Sequence, residues 1–245
     1  MNHHNTPPTD LIIALDQFRP DQAFEFVDGL GEVPAIYKVG FELFLSGGPE
    51  LVREMIHRKK RIFLDLKFHD IPTTVAKAAK QAALMHVEMF TLHLSGGSAM
   101  VKAVAQELAD IPALKPKILG VTVLTSFDDV RWAEVTRALS GHAVSPAESV
   151  HGLIEHAPSW GVDGIVCSAM ELEMLRAKFP WSPEGVYAVV PGIRPEGAAS
   201  DDQARVMTPV QARAAGASAV VMGRPITQAS DPQGVVRQTL KDLGH

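Results

Sequence analysis

"RIFLDLKFHDIPTTV", Arg61 to Val75, is the stretch from which the fold is read. Its first half is a short apolar run, and side chains along a strand alternate between two faces. Phe63, Asp65 and Lys67 therefore share one face, while Ile62, Leu64 and Leu66 share the other. The second face suits a layer of helices packed outside a sheet. The first then turns two charges inward, near the end of the strand. A third charge, Asp70, follows in the loop, and Pro72 stands where a helix begins, its fixed φ suited to a first helical turn.

The same unit recurs along the chain. Strand candidates are 11–16, 35–40, 62–67, 88–94, 117–124, 164–168, 186–192 and 218–223. They are β-branched and nearly continuous in apolar character, as parallel strands covered by helices are. Stretches such as "GPELVREMIHRK" and "PTTVAKAAKQAALMH" lie between them with apolar residues at helical spacing. Strand–helix alternation with eight strands predicts an α/β fold, a single (β/α)8 TIM barrel over residues 11–245, behind a frayed N-terminal tail of residues 1–10. An open doubly wound sheet is the alternative, but no glycine-rich dinucleotide fingerprint follows the first strand. The longest irregular stretches are read as 125–149 and 192–207.

Composition narrows the function classes. The chain has 245 residues, a normal length for one such barrel, with a net charge of −5 and no basic block, so no nucleic-acid partner is expected. One cysteine, Cys167, excludes a disulfide framework and fits a cytoplasmic setting. No run is apolar enough for a signal peptide or a membrane span, so no membrane partner is expected. His3 and His4 belong to the solvated tail.

Active sites of this fold sit where the strands end. Asp16 ends the first strand on the face of Ile12 and Ala14, and Lys38 lies near the end of the second. With Asp65 and Lys67 they ring one mouth. Burying ions usually costs more than their pairing returns, so a purely structural plug of charges would be an expensive design. The other half of the mouth suits phosphate. Gly223 and Arg224 end the eighth strand, and Arg194 and Gln203 lie in the polar loop after the seventh. Thr125 and Ser126, after the fifth strand, offer hydroxyls to a polar ring. His69 and His93 invite a metal reading, but Lys67 already supplies positive charge between the carboxylates, and no metal is expected. Cys167 reads as a small core residue.

Together, "IIALD", "YKVGFELF", "FLDLKFHDIPTTV", "VTVLTS", "DGIVCS", "VVPGIR", "DDQARVMTP" and "VVMGRPIT" make the chain similar to the orotidine 5′-phosphate decarboxylases, in their bacterial branch of short chains. The resemblance runs from about Leu11 to Thr227. It implies a carboxy-lyase that converts orotidine 5′-monophosphate to UMP and CO2, the last step of de novo UMP synthesis, with no cofactor and no metal. It also implies a homodimer. Lys38, Asp65, Lys67 and Asp70 match the catalytic tetrad, with Asp70 entering the partner's site beside Ile71 and Thr74. Asp16 and Lys38 match ribose contacts, Thr125 a pyrimidine contact, and Arg194, Gln203, Gly223 and Arg224 the phosphate grip. Lys67 would stabilise the carbanion at C6 and then protonate it. The competing readings are a Mg²⁺-dependent sugar-phosphate decarboxylase or hexulose-phosphate synthase relative on the same barrel, and a non-catalytic nucleotide-binding barrel.

Overall fold

Eight short parallel strands close on themselves in chain order, with the last pairing to the first. The computed structural model describes residues 8–180, 182, 185–195 and 207–245. The elements run β1 (Asp10–Ala14), α1 (Pro20–Leu30), β2 (Ala35–Val39), α2 (Phe41–His57), β3 (Arg61–Phe68), α3 (Pro72–Leu84), β4 (Met89–His93), α4 (Gly97–Ala109) and β5 (Lys117–Val121). They continue with α5 (Asp129–Ser140), α6 (Pro146–Trp160), β6 (Gly164–Val166), α7 (Ala169–Lys178), β7 (Tyr187–Pro191), α8 (Pro209–Ala214), β8 (Ala219–Met222), α9 (Arg224–Thr227) and α10 (Pro232–Leu243). This is a (β/α)8 barrel, and every expected strand is found within a few residues of its expected ends. Among the described residues no helix is long and apolar enough to cross a membrane.

Strand alternation separates two cores. Ile62 and Leu64 pack outward into the large cluster shared with the helices. Ile12, Ile36, Phe63, Met89, Leu119, Val189 and Ala219 form a separate buried cluster inside the barrel. That cluster is the apolar middle layer, and polar layers lie on both sides of it. Below, at the N-terminal ends of the strands, Arg61 makes a two-pronged pair with Glu88 (both contacts 2.7 Å) and reaches Asp10 at 3.2 Å. Asp10 also accepts a hydrogen bond from the Tyr187 hydroxyl at 2.6 Å, and the Lys117 ammonium lies 5.3 Å from the Tyr187 ring centre. Burial raises the Tyr187 pKa, and the Asp10 carboxylate raises it further, so the hydroxyl stays a donor.

Three boundaries differ from the sequence reading. The tail ends earlier than residue 10: Thr9 is buried, its N–H donates to Leu243 O and its hydroxyl to Ala217 O, both at 3.0 Å, and Asp10 pairs with Ala219. Asp16 lies in a turn past β1, which stops at Ala14. The stretch 125–149 is not irregular throughout, because it holds α5 and the start of α6. Asp128 caps α5 by accepting from Arg131 N–H, and none of that helix's residues is fully buried.

Gly164 shows how tightly the barrel floor is packed. It pairs with Leu119 on one side and Tyr187 on the other, so all three face the interior. A Cβ at this position would stand 2.3 Å from the Tyr187 carbonyl oxygen and 2.8 Å from Leu119 Cδ2. The carbonyl cannot yield without disturbing the β6–β7 ladder. Gly164→Ala is expected to destabilise the fold by about 1–3 kcal/mol, read as a fall in Tm in a thermal melt. An unchanged Tm would contradict this packing.

Candidate active site

The second polar layer lies above the apolar middle, at the C-terminal ends of the strands. Lys38 pairs in register with Ala14 and Phe63, so its side chain enters the barrel interior. Its ammonium sits 2.6 and 2.8 Å from the two Asp16 carboxylate oxygens and 3.4 Å from Asp65 Oδ2. Lys67 Nζ donates to both Asp65 oxygens, at 2.9 and 3.0 Å. The Thr91 hydroxyl donates to Asp65 Oδ1 at 2.9 Å. Four polar groups, two of each sign, therefore form one continuous chain from Asp16 through Lys38 and Asp65 to Lys67.

Burial makes the pairing matter. The Lys38 and Asp65 side chains are 10% and 12% exposed, whereas Asp16 is half exposed. Desolvation alone would push the Asp65 carboxyl up. The Lys38 and Lys67 ammoniums, with hydrogen bonds from Lys67 and Thr91, outweigh it and hold the carboxyl below its ordinary value. Lys67 completes this arrangement at a backbone cost. Its φ is +43°, in the left-handed region that non-glycine residues rarely adopt. The β3–β4 register shifts across the same place: Leu64 pairs with Phe90, but Phe68 pairs with Leu92. Two extra residues of β3 thus arch out of the ladder around Asp65 and Lys67.

These groups open into a cavity of about 410 Å³. Asp16, Lys38, Asp65 and Lys67 line one side of it, Thr125 stands after β5, and Arg194, Gly223 and Arg224 line the side at the ends of β7 and β8. Arg194 is buried. Gly223 precedes α9, and among the described residues a Cβ there would have only the Ala14 side chain and carbonyl oxygen within 4 Å, at 3.5 and 3.9 Å. Gln203 lies outside the described residues. Asp70, Ile71 and Thr74 do not line the cavity of their own chain. They stand exposed, Asp70 and Ile71 on the β3–α3 turn and Thr74 in the first turn of α3; the Asp70 carboxylate accepts from Ile71 N–H at 2.6 Å and Ile71 is 64% exposed.

The sequence reading missed part of the wall. Cys167, treated as core alone, is buried but also lines the cavity, and burial pushes its thiol up to about 12. Glu171 lines it as well, and burial raises its carboxyl despite hydrogen bonds from Ser168. Ser168 and Glu171 form a capping box at the start of α7, and the S-x-x-E spacing in "SAME" was the available signal. Thr91 was missed because nothing in "MFTLHL" separates its hydroxyl from that of any other strand threonine. The His69 and His93 rings stand 5.7 Å apart beside this end of the barrel, and burial, together with His69 and Lys67, lowers the His93 pKa.

The arrangement supplies an ammonium held by a carboxylate at one end of a cavity and two guanidiniums at the other. Such a cavity can hold an anion at a distance from a reacting carbon. Comparison with known proteins identifies the family. The model of the orotidine 5′-phosphate decarboxylase / HUMPS family matches residues 9–239. An orotidine 5′-phosphate decarboxylase of Synechococcus sp. (strain CC9605) is 44% identical over 97% of each chain. That of Saccharophagus degradans is 44% identical over 98% of this chain and 97% of its own. The crystal structure of orotidine 5′-phosphate decarboxylase from Lactobacillus acidophilus superposes with a TM-score of 0.82 at 36% identity, covering 97% of this chain and all of the other. With a closed barrel, a charged mouth and relatives matched from end to end, this chain belongs to the orotidine 5′-phosphate decarboxylase / HUMPS family.

Proposed function

We propose that this protein is an orotidine 5′-phosphate decarboxylase, taking orotidine 5′-monophosphate to UMP and CO2 in a cytoplasmic setting without metal or cofactor. The observation that carries the reading is the Lys67 ammonium, held on both oxygens of Asp65 in a cavity whose far side bears Arg194 and Arg224. Breaking the bond between C6 and the carboxylate leaves its electron pair on C6, with little delocalisation to spread the charge. Lys67 answers that charge as it develops and then gives C6 a proton. Asp65 aims Lys67, because both of its oxygens accept from the ammonium. Asp65 also stands where it can crowd the departing carboxylate.

The phosphate is remote from the reacting carbon, and Arg194, Arg224 and the open backbone at Gly223 grip it, with Gln203 as a further donor. Its binding energy holds the ring in register with Lys67. Asp16 and Lys38 take the ribose hydroxyls and Thr125 the pyrimidine. Two copies of the chain form the working unit. The exposure of Asp70, Ile71 and Thr74 around the start of α3 supports this, since all three would be covered on entering the partner's cavity. Asp70 then supplies the second carboxylate for Lys67.

A metal-dependent sugar-phosphate enzyme on the same barrel is the competing reading, because one fold can carry several chemistries. Against it stands the engagement of both Asp65 oxygens by ammonium groups, which leaves that carboxylate poorly disposed to ligate a cation. The deciding experiment is the loss of orotate absorbance on adding orotidine 5′-monophosphate in the presence of EDTA. Rapid loss supports the decarboxylase. No loss, with turnover of a keto-sugar phosphate once Mg²⁺ is supplied, would overturn it.

Three variants test the roles. Lys67→Ala is expected to abolish turnover while UMP binding persists in calorimetry; near-normal turnover would refute its role. Arg224→Ala is expected to weaken UMP by about 1.5–3 kcal/mol, the range of a charge-assisted hydrogen bond, and uridine little. Equal losses would refute a phosphate contact. Lys67→Ala and Asp70→Asn chains, each inactive alone, are expected to regain roughly one quarter of wild-type activity when mixed and re-equilibrated, because only hybrid dimers carry one intact site. No recovery in verified hybrid dimers would place Asp70 outside the shared site.

A further inference from the structure

Lys67 carries a left-handed backbone and sits in a two-residue arch of β3, so its N–H is lost to the regular ladder. That N–H instead donates to the Thr91 hydroxyl oxygen at 2.9 Å. Thr91 is 1% exposed, lies on β4 and does not line the cavity. A hydroxyl has one proton to give. Because the Lys67 N–H already points at its oxygen, the Thr91 proton is directed to its other partner, Asp65 Oδ1, 2.9 Å away. A single side chain thus holds the backbone of the ammonium-bearing residue and the carboxylate that aims the ammonium.

We propose that Thr91 is the positioning residue of this site, its hydroxyl fixing the strained backbone of Lys67 and the orientation of the Asp65 carboxylate at once. The proposal rests on the decarboxylase reading above and extends it to a residue that touches no substrate. The bridge has a direction. A hydroxyl that must donate favours an Asp65 that can only accept, so it acts with the two ammoniums to keep the carboxyl ionised. The groups facing Asp65 are Lys38 on β2, Lys67 on its own strand, Thr91 and His93 on β4, and Asp16 through Lys38. Of these, Thr91 alone neither titrates nor enters the cavity, so its removal reports on position and hydrogen bonding without changing the site's formal charge.

Thr91→Val keeps the branched shape and deletes the hydroxyl, leaving a buried N–H and a carboxylate lone pair without this partner. The test compares Thr91→Val and Thr91→Ser with the wild type in kcat, KM, UMP affinity and the pH dependence of kcat. With Thr91→Val we expect kcat to fall about 10- to 100-fold, as small misplacements of reacting groups do, while UMP affinity stays within about twofold of the wild type, the phosphate end being untouched. Losing a hydrogen bond to the ionised form raises the Asp65 pKa, so the acid limb of kcat moves to higher pH. Thr91→Ser is expected to restore both. Wild-type kcat and an unmoved acid limb in Thr91→Val would overturn the proposal. So would equal losses in Val and Ser variants with the acid limb in place, which would mark a packing role. Should Thr91→Val not fold, Thr91→Cys, similar in size with a weak donor, carries the same comparison. A wild-type protein that does not decarboxylate orotidine 5′-monophosphate would instead refute the functional reading itself.

Discussion

A carboxylate cannot be left in the dry mouth of a barrel unless neighbouring groups replace the water it has lost, and Asp65 is the place where this protein meets that demand. Lys38 from β2, Lys67 from its own strand and Thr91 from β4 all converge on its two oxygens. Removing either ammonium leaves the carboxylate under-compensated, which costs more than the pair itself is worth. The geometry of three adjacent strands is thereby tied to a single side chain, and the arch of β3 and the left-handed Lys67 follow from bringing an ammonium back onto a carboxylate two residues earlier.

The interior of the barrel is ordered in depth. The floor carries Asp10, Arg61, Glu88 and Tyr187 in mutual contact, the middle is apolar, and the mouth is charged again. The floor is what a structural charge network looks like: its groups are paired with one another at the rim where water still helps. The mouth differs because its charges border a cavity large enough for a ligand. Identical chemistry at two ends of one barrel thus serves closure at one and, on our reading, catalysis at the other.

How much of this could be read in the sequence depends on how local each signal is. The strands were legible because alternation and β-branching act over a few residues, and Asp65 and Lys67 stood out because a charge is conspicuous on an inward face. The helix α5 was not legible, since it buries no residue fully and its inward side is only half covered. Thr91 was not legible because its importance comes from the β3 arch, a feature of pairing between strands rather than of either strand alone. Asp70 shows the opposite limit. Its motif neighbours Lys67 closely in sequence, yet the turn before α3 carries it away from its own cavity. Spacing brought these residues together on paper, whereas the fold separates them by direction.

The cavity walls come from distant parts of the chain. Lys38, Asp65 and Lys67 lie on β2 and β3, and Arg194, Gly223 and Arg224 follow β7 and β8. A ligand that touches both groups joins the early and late segments across the barrel, much as a cross-link would. Such a ligand binds only when both segments are in place, so it favours the closed ring over any state in which β7 and β8 have peeled away, by an amount that grows with its concentration. In a cell, the resistance of this barrel to local opening and to proteolysis would therefore follow the supply of its own nucleotide, and a starved enzyme would be a looser one.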